Sequence, residues 1–332
     1  MFREATRQMR VRCACPCSCV AKDASHVVGP ATWERCCSPS AGRQVASPRS
    51  ARAPEQDSLA QVATGNQAVF EDARVVREFI GREGWLDQGE LAALLSVAPL
   101  VRSEPVLDIG VGLGRTSSLL RMLTDAYVAV DYSTEMVRMF REIHPDVTIS
   151  VDDARDLSSF QNGSFSLVYF SDNGVDAIDE MGRKQYLAEA RRVLRNDGLL
   201  IHSTLNKQGQ NYGETPWQLH HPGKPPDLRP ERIAQWCWHN LKDPFRAVRR
   251  YRNFFASRGA ASDAGDWAMY PMSAHDFSIV AHFVTVTRLR SELEEAGFDV
   301  VAIYDSPSGA VIPESATRSD TPMFYAVARR RS

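Results

Sequence analysis

The chain has 332 residues, 24% of them charged, and a formal net charge of -2. A chain of this length can bury a large core, and it holds no apolar run near the roughly 18 residues that a membrane-spanning helix needs. The charge is uneven, because residues 1–54 carry nine Lys and Arg against three acids, which leaves -8 for the rest. A body of this charge argues against a nucleic-acid partner.

Residues 1–57 differ from the rest in composition. Six of the seven cysteines lie there, at Cys13, Cys15, Cys17, Cys19, Cys36 and Cys37. Their spacing is not the two-to-four-residue spacing typical of zinc ligands, so we predict no metal site. We interpret residues 1–57 as a disordered tail or an upstream translated extension, with an organellar transit peptide as the alternative. The single remaining thiol, Cys237, is typical of a protein of the reducing cytoplasm.

The ordered part begins near residue 58, where apolar residues recur at helical spacing, and a second helix runs from about Gln88. From Pro105 onward, short apolar runs alternate with amphipathic helices, a pattern typical of an α/β fold with a parallel sheet. The spacing predicts helices over about 178–194 and before Gly297. It predicts strands at about 105–109, 126–130, 147–151, 164–170, 198–204, 298–304 and 323–328.

The alternation of short apolar runs and amphipathic helices is absent between residues 205 and 285. This segment is rich in aromatic residues and histidine, and we interpret it as an insertion after the fifth strand. It also holds a basic cluster that could meet an anionic ligand, a phosphate or only solvent, at Arg246, Arg249, Arg250, Arg252 and Arg258.

A glycine loop follows the first predicted strand, with glycines at Gly110, Gly112 and Gly114. Glycines at every second position let the backbone turn tightly and approach a ligand closely. The dinucleotide fingerprint G-x-G-x-x-G needs a glycine where this chain has Arg115. In addition, Asp108 would lie unfavourably beside a pyrophosphate but suits a cationic cofactor without phosphate.

Further polar residues follow the next three strands, where ligands bind in open α/β sheets. Asp131 comes 21 residues after Gly110, at the distance where a carboxylate can accept hydrogen bonds from ribose hydroxyls, and Tyr132 could lie against an adenine. Asp153 follows the third strand and Ser171 the fourth.

An acidic residue followed by G-x-G-x-G, with these later motifs in order, resembles the class I S-adenosylmethionine-dependent methyltransferases over roughly residues 70–330. The resemblance implies a Rossmann-like, doubly wound sheet of seven strands in the order 3-2-1-4-5-7-6, with the last strand antiparallel. It implies that Asp131 holds the ribose, that Asp153 and Ala154 meet the adenine edge, and that Ser171 begins the loop beside the transferable methyl. It also implies that the methionine part of the cofactor is surrounded by four residues, namely Asp108, Gly110, Gly112 and Gly114.

We therefore expect methyl transfer from S-adenosylmethionine to a small-molecule acceptor, with residues 58–332 as the methyltransferase domain and 205–285 as its acceptor-binding insertion or lid. Candidate general bases are Asp172, His202 and His275, although each also has an ordinary structural interpretation. The alternatives are an RNA or protein methyltransferase and a non-catalytic protein that retains the fold. A nicotinamide oxidoreductase is disfavoured by the glycine spacing. The sequence defines neither the acceptor nor the oligomeric state.

Overall fold

A computed structural model describes residues 62, 64–217, 229–231, 233–234, 237–238 and 243–332. The tail predicted over residues 1–57, with its cysteines, lies outside these residues. Among the described residues, none of the helices is long and apolar enough to cross a membrane.

Before the sheet, the described part of the chain has helical residues at 64–70 and two helices with capped N-termini. Helix α1 spans Ala73–Arg77 and helix α2 spans Gln88–Val101. Each begins where an aspartate side chain accepts a hydrogen bond from a backbone N–H of the first turn, Asp72 from Arg74 and Asp87 from Glu90. Such N-caps satisfy amide groups that a helix leaves without a partner.

Five parallel strands form the centre of the sheet in the order β3-β2-β1-β4-β5. The strands are β1 (Val106–Ile109), β2 (Tyr127–Asp131), β3 (Ile149–Val151), β4 (Phe165–Phe170) and β5 (Leu194–Asn206). The helices between them are α3 (Ser117–Arg121), α4 (Thr134–Ile143) and α5 (Glu180–Val193). All residues of β1 and β4 are buried, as expected for strands that are covered on both faces.

Besides helical residues at 230–231, 233–234 and 237–238, the described residues of the insertion after β5 form a further helix and three strands. These are α6 (Pro244–Ser257), β6 (Ser262–Asp263), β7 (Trp267–Met272) and β8 (Ile279–Val284). Strand β8 runs parallel to the end of β5, with Leu205 opposite Phe283 and Asn206 opposite Val284. Within the part of the chain that the structure describes, the sheet therefore has ten strands, three more than the expected seven.

The chain ends with α7 (Val286–Glu295), β9 (Phe298–Asp305) and β10 (Met323–Arg330). Strand β10 runs antiparallel to both β5 and β9. Apart from the inserted strands, the order is β3-β2-β1-β4-β5-β10-β9, which confirms the predicted order and the antiparallel last strand. The left-handed backbone of Gly297, with φ of 85°, ends α7 at the predicted residue.

The core forms two layers, one on each face of the sheet. On one face α2 buries Ala93 and Val97 against the strands, next to Phe140 of α4. On the other face lie Leu187 of α5 and Leu289 of α7. The helices thus cover both faces and leave the carboxyl ends of the parallel strands as the edge where a ligand site can form.

Candidate active site

A cavity of about 950 Å³ lies at the carboxyl ends of the parallel strands. Most of the residues predicted from the sequence line it, namely Asp108, Gly110, Gly112, Asp131, Tyr132, Asp153, Ala154, Ser171, Asp172 and His275. Gly114 and His202 are not part of the lining. The volume lies in the range typical of sites for small molecules and cofactors.

The glycine loop needs its glycines for two physical reasons. Gly110 and Gly112 have φ of 63° and 57°, which disfavours any residue with a Cβ. A Cβ on Gly110 would also lie 2.6 Å from Cε2 of Phe170. Gly114, with φ of 90°, is enclosed on another side, where a Cβ would collide with the ring of His144. The loop therefore presents backbone atoms without side chains to the cavity.

Asp131 links the end of β2 to this loop. Its Oδ2 accepts a hydrogen bond from the N–H of Gly112 at 2.9 Å, and its Oδ1 accepts one from the N–H of Ser133 at 2.9 Å. Burial raises the pKa of Asp131 to about 6, and these backbone hydrogen bonds oppose the shift. The carboxylate is fixed in place, and each oxygen still has a lone pair for a further donor.

Asp108 is buried at the end of β1, beneath the loop. Its Oδ2 accepts hydrogen bonds from the hydroxyl of Tyr127 at 2.7 Å and from that of Thr116 at 3.1 Å. Burial raises the pKa of Asp108 to about 7, although both hydroxyl groups lower it. A cation in the cavity would favour the ionised form of this carboxyl group.

A third group of predicted residues lies beyond β2. The Asp153 carboxylate accepts a hydrogen bond from Nε of Arg155 at 2.9 Å, and both side chains line the cavity. Tyr132 contacts Phe70, with ring centroids 6.0 Å apart. Its buried hydroxyl has no hydrogen-bond partner within the described part of the chain.

The chain upstream of α2 forms a wall of the cavity that the sequence did not predict. Phe79, Arg82 and Trp85 line it. The Arg82 guanidinium lies 5.6 Å from the ring centroid of Phe79 and 5.5 Å from that of Trp85, and its Nη2 is 3.2 Å from Oδ2 of Asp172. In the sequence, the apolar spacing of this stretch indicates only a helix.

A buried ion pair supports the glycine loop from beneath. Both terminal nitrogens of Arg115 donate to the Glu90 carboxylate at 2.7 Å, and Nη2 also donates to Oγ of Ser171 at 2.8 Å. Glu90 is fully buried and accepts a third hydrogen bond from the Tyr169 hydroxyl at 2.6 Å. The position of Arg115 directly after the third glycine was the sequence feature that could have identified it as part of the site. Nothing in the sequence indicated Glu90 as its partner.

The loop after β4 has a strained backbone. Asp172 and Asn173 have φ of 52° and 53°, a region that residues other than glycine seldom adopt. The N–H of Asn173 donates to Oγ of Ser203 at 2.7 Å, which holds the turn against β5. Strain of this kind persists only when the surrounding structure enforces it, and it is common at functional sites.

A network of buried charges lies behind this loop. Arg183 of α5 is fully buried and donates to Asp176 at 2.9 Å and to Glu292 at 2.9 and 3.0 Å. Asp176 lines the cavity and also accepts a hydrogen bond from the N–H of Leu205 at 2.7 Å. The network connects the loop after β4 with α5, α7 and the end of β5.

His275 approaches the cavity from the insertion. Its Nδ1 lies 2.8 Å from Oε2 of Glu78, and its ring stacks on Phe79 at 5.6 Å between centroids. If Nδ1 carries the proton that is shared with Glu78, Nε2 is left as an acceptor. Nε2 has no hydrogen-bond partner among the described residues.

The backbone that presents His275 is left-handed at three successive residues, with φ of 48°, 57° and 63° at His275, Asp276 and Phe277. The Asp276 carboxylate accepts hydrogen bonds from Nε of Arg246 and of Arg249, both at 2.8 Å. Burial alone would raise the pKa of Asp276, but the two guanidinium groups hold it below its usual value. Two arginines of the basic cluster thus bind this turn.

The structure does not bring His202 to the cavity. It is fully buried in β5, its ring lies 6.1 Å from that of Tyr186, and neither ring nitrogen has a hydrogen-bond partner among the described residues. Burial lowers its pKa to about 3, so its imidazole is neutral at physiological pH. A role for His202 as a base stays a prediction from the sequence.

No group of three potential metal ligands occurs in the described ranges.

Residues 106–198, which run from β1 into β5, match the family model described as a methyltransferase domain. Among curated proteins, no sequence matches the chain. Of the solved structures, the 1,6-didemethyltoxoflavin-N1-methyltransferase of Burkholderia thailandensis is similar at 16% identity over 85% of this chain and 92% of that one, with a TM-score of 0.49. An S-adenosylmethionine-dependent methyltransferase of Mesorhizobium loti is similar at 16% identity, 72% and 98% coverage, and a TM-score of 0.43. Another, from Clostridium acetobutylicum, is similar at 11% identity, 74% and 92% coverage, and a TM-score of 0.45.

Proposed function

We propose that this chain transfers the methyl group of S-adenosylmethionine to a small molecule, because its residues 106–198 match the family model described as a methyltransferase domain. One observation carries this proposal more than any other. The Asp131 carboxylate is hydrogen-bonded to the N–H of Gly112, in a loop whose conformation excludes side chains. A carboxylate held beside bare backbone suits a ligand that combines ribose hydroxyls with a compact charged group.

The charge of the cavity supports a cationic ligand. Nine carboxylates and four guanidinium groups line it, so acids are in excess. Asp108 and Asp131 are the buried members of this set nearest the glycine loop. Since opposite charges attract strongly where water is excluded, these groups favour a sulfonium over a pyrophosphate.

Each residue predicted to bind the cofactor has a role in this proposal. Asp131 accepts hydrogen bonds from the ribose, and Asp153, Ala154 and Tyr132 surround the adenine. Gly110, Gly112 and Gly114 form the backbone cradle beside the methionine part, with Asp108 beneath it. Ser171, which Arg115 fixes through a hydrogen bond of 2.8 Å, begins the loop next to the methyl.

When bound, S-adenosylmethionine supplies a methyl carbon that bonds to a lone pair of the acceptor while its carbon–sulfur bond breaks and the sulfur keeps the electrons. The protein must hold the acceptor in line and remove its proton. His275 fits the second task, because Glu78 binds its Nδ1 and Nε2 is left to take a proton. Asp172 also lines the cavity, but its carboxylate is already paired with Arg82.

We assign the insertion to the acceptor. Met272, Ser273, His275, Ile279 and Ala281 of this segment line the cavity beside the residues of the parallel strands. Strand β8 is attached to β5 by backbone pairing, so this side of the cavity is built on the same sheet as the cofactor side. We therefore propose that residues 205–285 form the acceptor-binding part of the domain.

Calorimetric titration of the full chain with S-adenosylmethionine and, separately, with NADH tests the proposal. We expect saturable binding of S-adenosylmethionine in the micromolar range and none of NADH. A screen of small molecules for formation of S-adenosylhomocysteine then identifies the acceptor. Binding of NADH alone would overturn the cofactor assignment, and cofactor binding without turnover of any acceptor class would favour a non-catalytic protein.

A further inference from the structure

The cavity has two ends that the order of the strands separates. Apart from Ser171, which follows β4 itself, the predicted cofactor residues lie on or after β1, β2 and β3, on one side of β4. On the other side of β4 the lining comes from β5, β7 and β8 and is mainly apolar, with Leu205, Met272, Ile279 and Ala281. We refer to these four residues as the apolar wall. Beside it, the amide groups of Asn173 and Asn211 are uncharged polar groups of the lining.

None of the four arginines in the described lining is free to hold an anion. Arg82 is paired with Asp172 at 3.2 Å, and Arg115 with Glu90 at 2.7 Å. Arg155 donates a hydrogen bond to Asp153 at 2.9 Å, and Arg246 donates one to Asp276 at 2.8 Å. An anionic ligand would have to break one of these pairs and would face the excess of carboxylates.

The basic cluster of the insertion does not supply the cavity lining with a free cation either. Arg246 and Arg249 share the Asp276 carboxylate, and the Arg250 guanidinium lies 5.3 Å from the ring centroid of Phe277. Arg252 and Arg258 are not in the lining. The cluster therefore stabilises the turn at His275. This role explains the position of its arginines better than recognition of an anionic acceptor does.

Three carboxylates on this side of β4 also have partners. Asp172 is paired with Arg82, and Asp176 with the buried Arg183 at 2.9 Å. Glu78 is hydrogen-bonded to His275. Since the guanidinium groups of the described lining already have partners, an anionic acceptor would lose its hydration here without gaining a counter-ion.

We propose that the acceptor is a largely apolar molecule without carboxylate or phosphate, held against the apolar wall. This inference rests on the proposed methyl transfer for the statement that the molecule is an acceptor. It excludes nucleotides, phosphorylated metabolites and carboxylic acids as substrates of this site. The nucleophile is an uncharged nitrogen or oxygen whose proton His275 removes.

A matched pair of compounds tests the inference without knowledge of the acceptor. Indole-3-acetamide and indole-3-acetate have the same shape and differ in charge. Both are titrated calorimetrically into the full chain saturated with S-adenosylhomocysteine. We expect the amide to bind at least about tenfold more tightly than the carboxylate, because the carboxylate loses hydration without a free cation. Equal or tighter binding of the carboxylate would overturn the proposal, and so would the absence of binding by both.

Two variants locate the binding and separate the two proposals. Met272→Trp fills the space at the apolar wall and should abolish binding of the amide while binding of S-adenosylhomocysteine is retained. Unchanged amide binding would show that the compound lies elsewhere and would overturn the inference. Asp172→Asn frees Arg82 and should reduce the preference for the amide, since asparagine tolerates the left-handed backbone of this position. Failure of S-adenosylhomocysteine itself to bind would instead contradict the proposed function.

Discussion

Oδ2 of Asp131 accepts a hydrogen bond from the N–H of Gly112 at 2.9 Å, and this contact joins the ends of β2 and β1. It brings a buried carboxylate to the loop that the glycines form. Two features that lie 19 residues apart in the sequence are thereby held as one site before any ligand binds. Such preorganisation lowers the entropy that binding would otherwise cost.

The ionisation of Asp131 predicts how cofactor binding depends on pH. Burial raises its pKa to about 6, so the carboxyl group is mostly protonated at pH 5 and mostly ionised at pH 8. If the ionised form accepts the ribose hydroxyls, affinity for S-adenosylhomocysteine should fall roughly tenfold for each pH unit below that pKa. Calorimetry between pH 5 and pH 8 measures this dependence.

Asp131→Asn is the control for this titration. It should bind more weakly at pH 8 and lose most of the change in affinity between pH 5 and pH 8. An Asp131→Asn variant with the pH dependence of the wild type would assign the titration to another group, with Asp108 and its pKa of about 7 as the next candidate.

Gly110→Ala should impair cofactor binding, because its Cβ would lie 2.6 Å from Phe170 and the positive φ would be retained. Gly163→Ala is a matched control, with φ of 68° and no atom nearer than 3.8 Å to its Cβ. Both variants should lose about 1–2 kcal/mol of unfolding free energy from the left-handed backbone. Affinity for S-adenosylhomocysteine should change only for Gly110→Ala, and equal losses of affinity would count against the loop as the binding site.

Arg183→Met should lower the free energy of unfolding by about 3–5 kcal/mol, because it leaves the buried carboxylates of Asp176 and Glu292 without their counter-ion. Chemical denaturation followed by circular dichroism measures this loss. Adding Glu292→Gln to the same chain should recover part of it. Arg138→Met, which removes an exposed ion pair of α4, should change stability little. Equal effects of the two arginine substitutions would refute this account of the network.

His275→Gln should reduce kcat by about 10²–10⁴-fold once the acceptor is identified, in line with loss of a general base. Affinity for S-adenosylhomocysteine should stay unchanged. Glu78→Gln should cause a smaller loss of kcat, since Glu78 orients Nδ1 of His275 and does not itself take the proton. If Asp172→Asn has the larger effect on kcat and His275→Gln has none, Asp172 is the base instead.

The parts of the site that the sequence predicted are those with local signals. The buried runs from Val106 to Ile109 and from Phe165 to Phe170 identify strands, and the positive φ values of Gly110 and Gly112 leave a spacing that can be recognised in the sequence. Residues at the carboxyl ends of such strands meet at one edge because the sheet is parallel. The strand order followed from the family resemblance and not from periodicity.

The residues that were missed act through contacts between distant parts of the chain. Glu78 meets His275 across 197 residues, and Arg115 meets Glu90 across 25. Neither acid stands out in the sequence, since a single glutamate near a helix is ordinarily solvated. The inserted strands were missed for a related reason, because β7 contains Pro271 and has a mixed burial pattern in place of the continuous apolar run of a central strand.

The pairing of β8 with the end of β5 bears on how this protein could change its substrate. Strand β8, which carries Ile279 and Ala281 of the apolar wall, is joined to β5 by backbone hydrogen bonds. The distance between the apolar wall and the glycine loop is therefore set by the backbone and not by the side chains that form the surface of the wall. Substitutions at Met272, Ile279 or Ala281 can therefore reshape the space available to a substrate while the frame stays in place. Transplanting a foreign loop would discard that frame, so gradual replacement of side chains is the more accessible route to a new specificity.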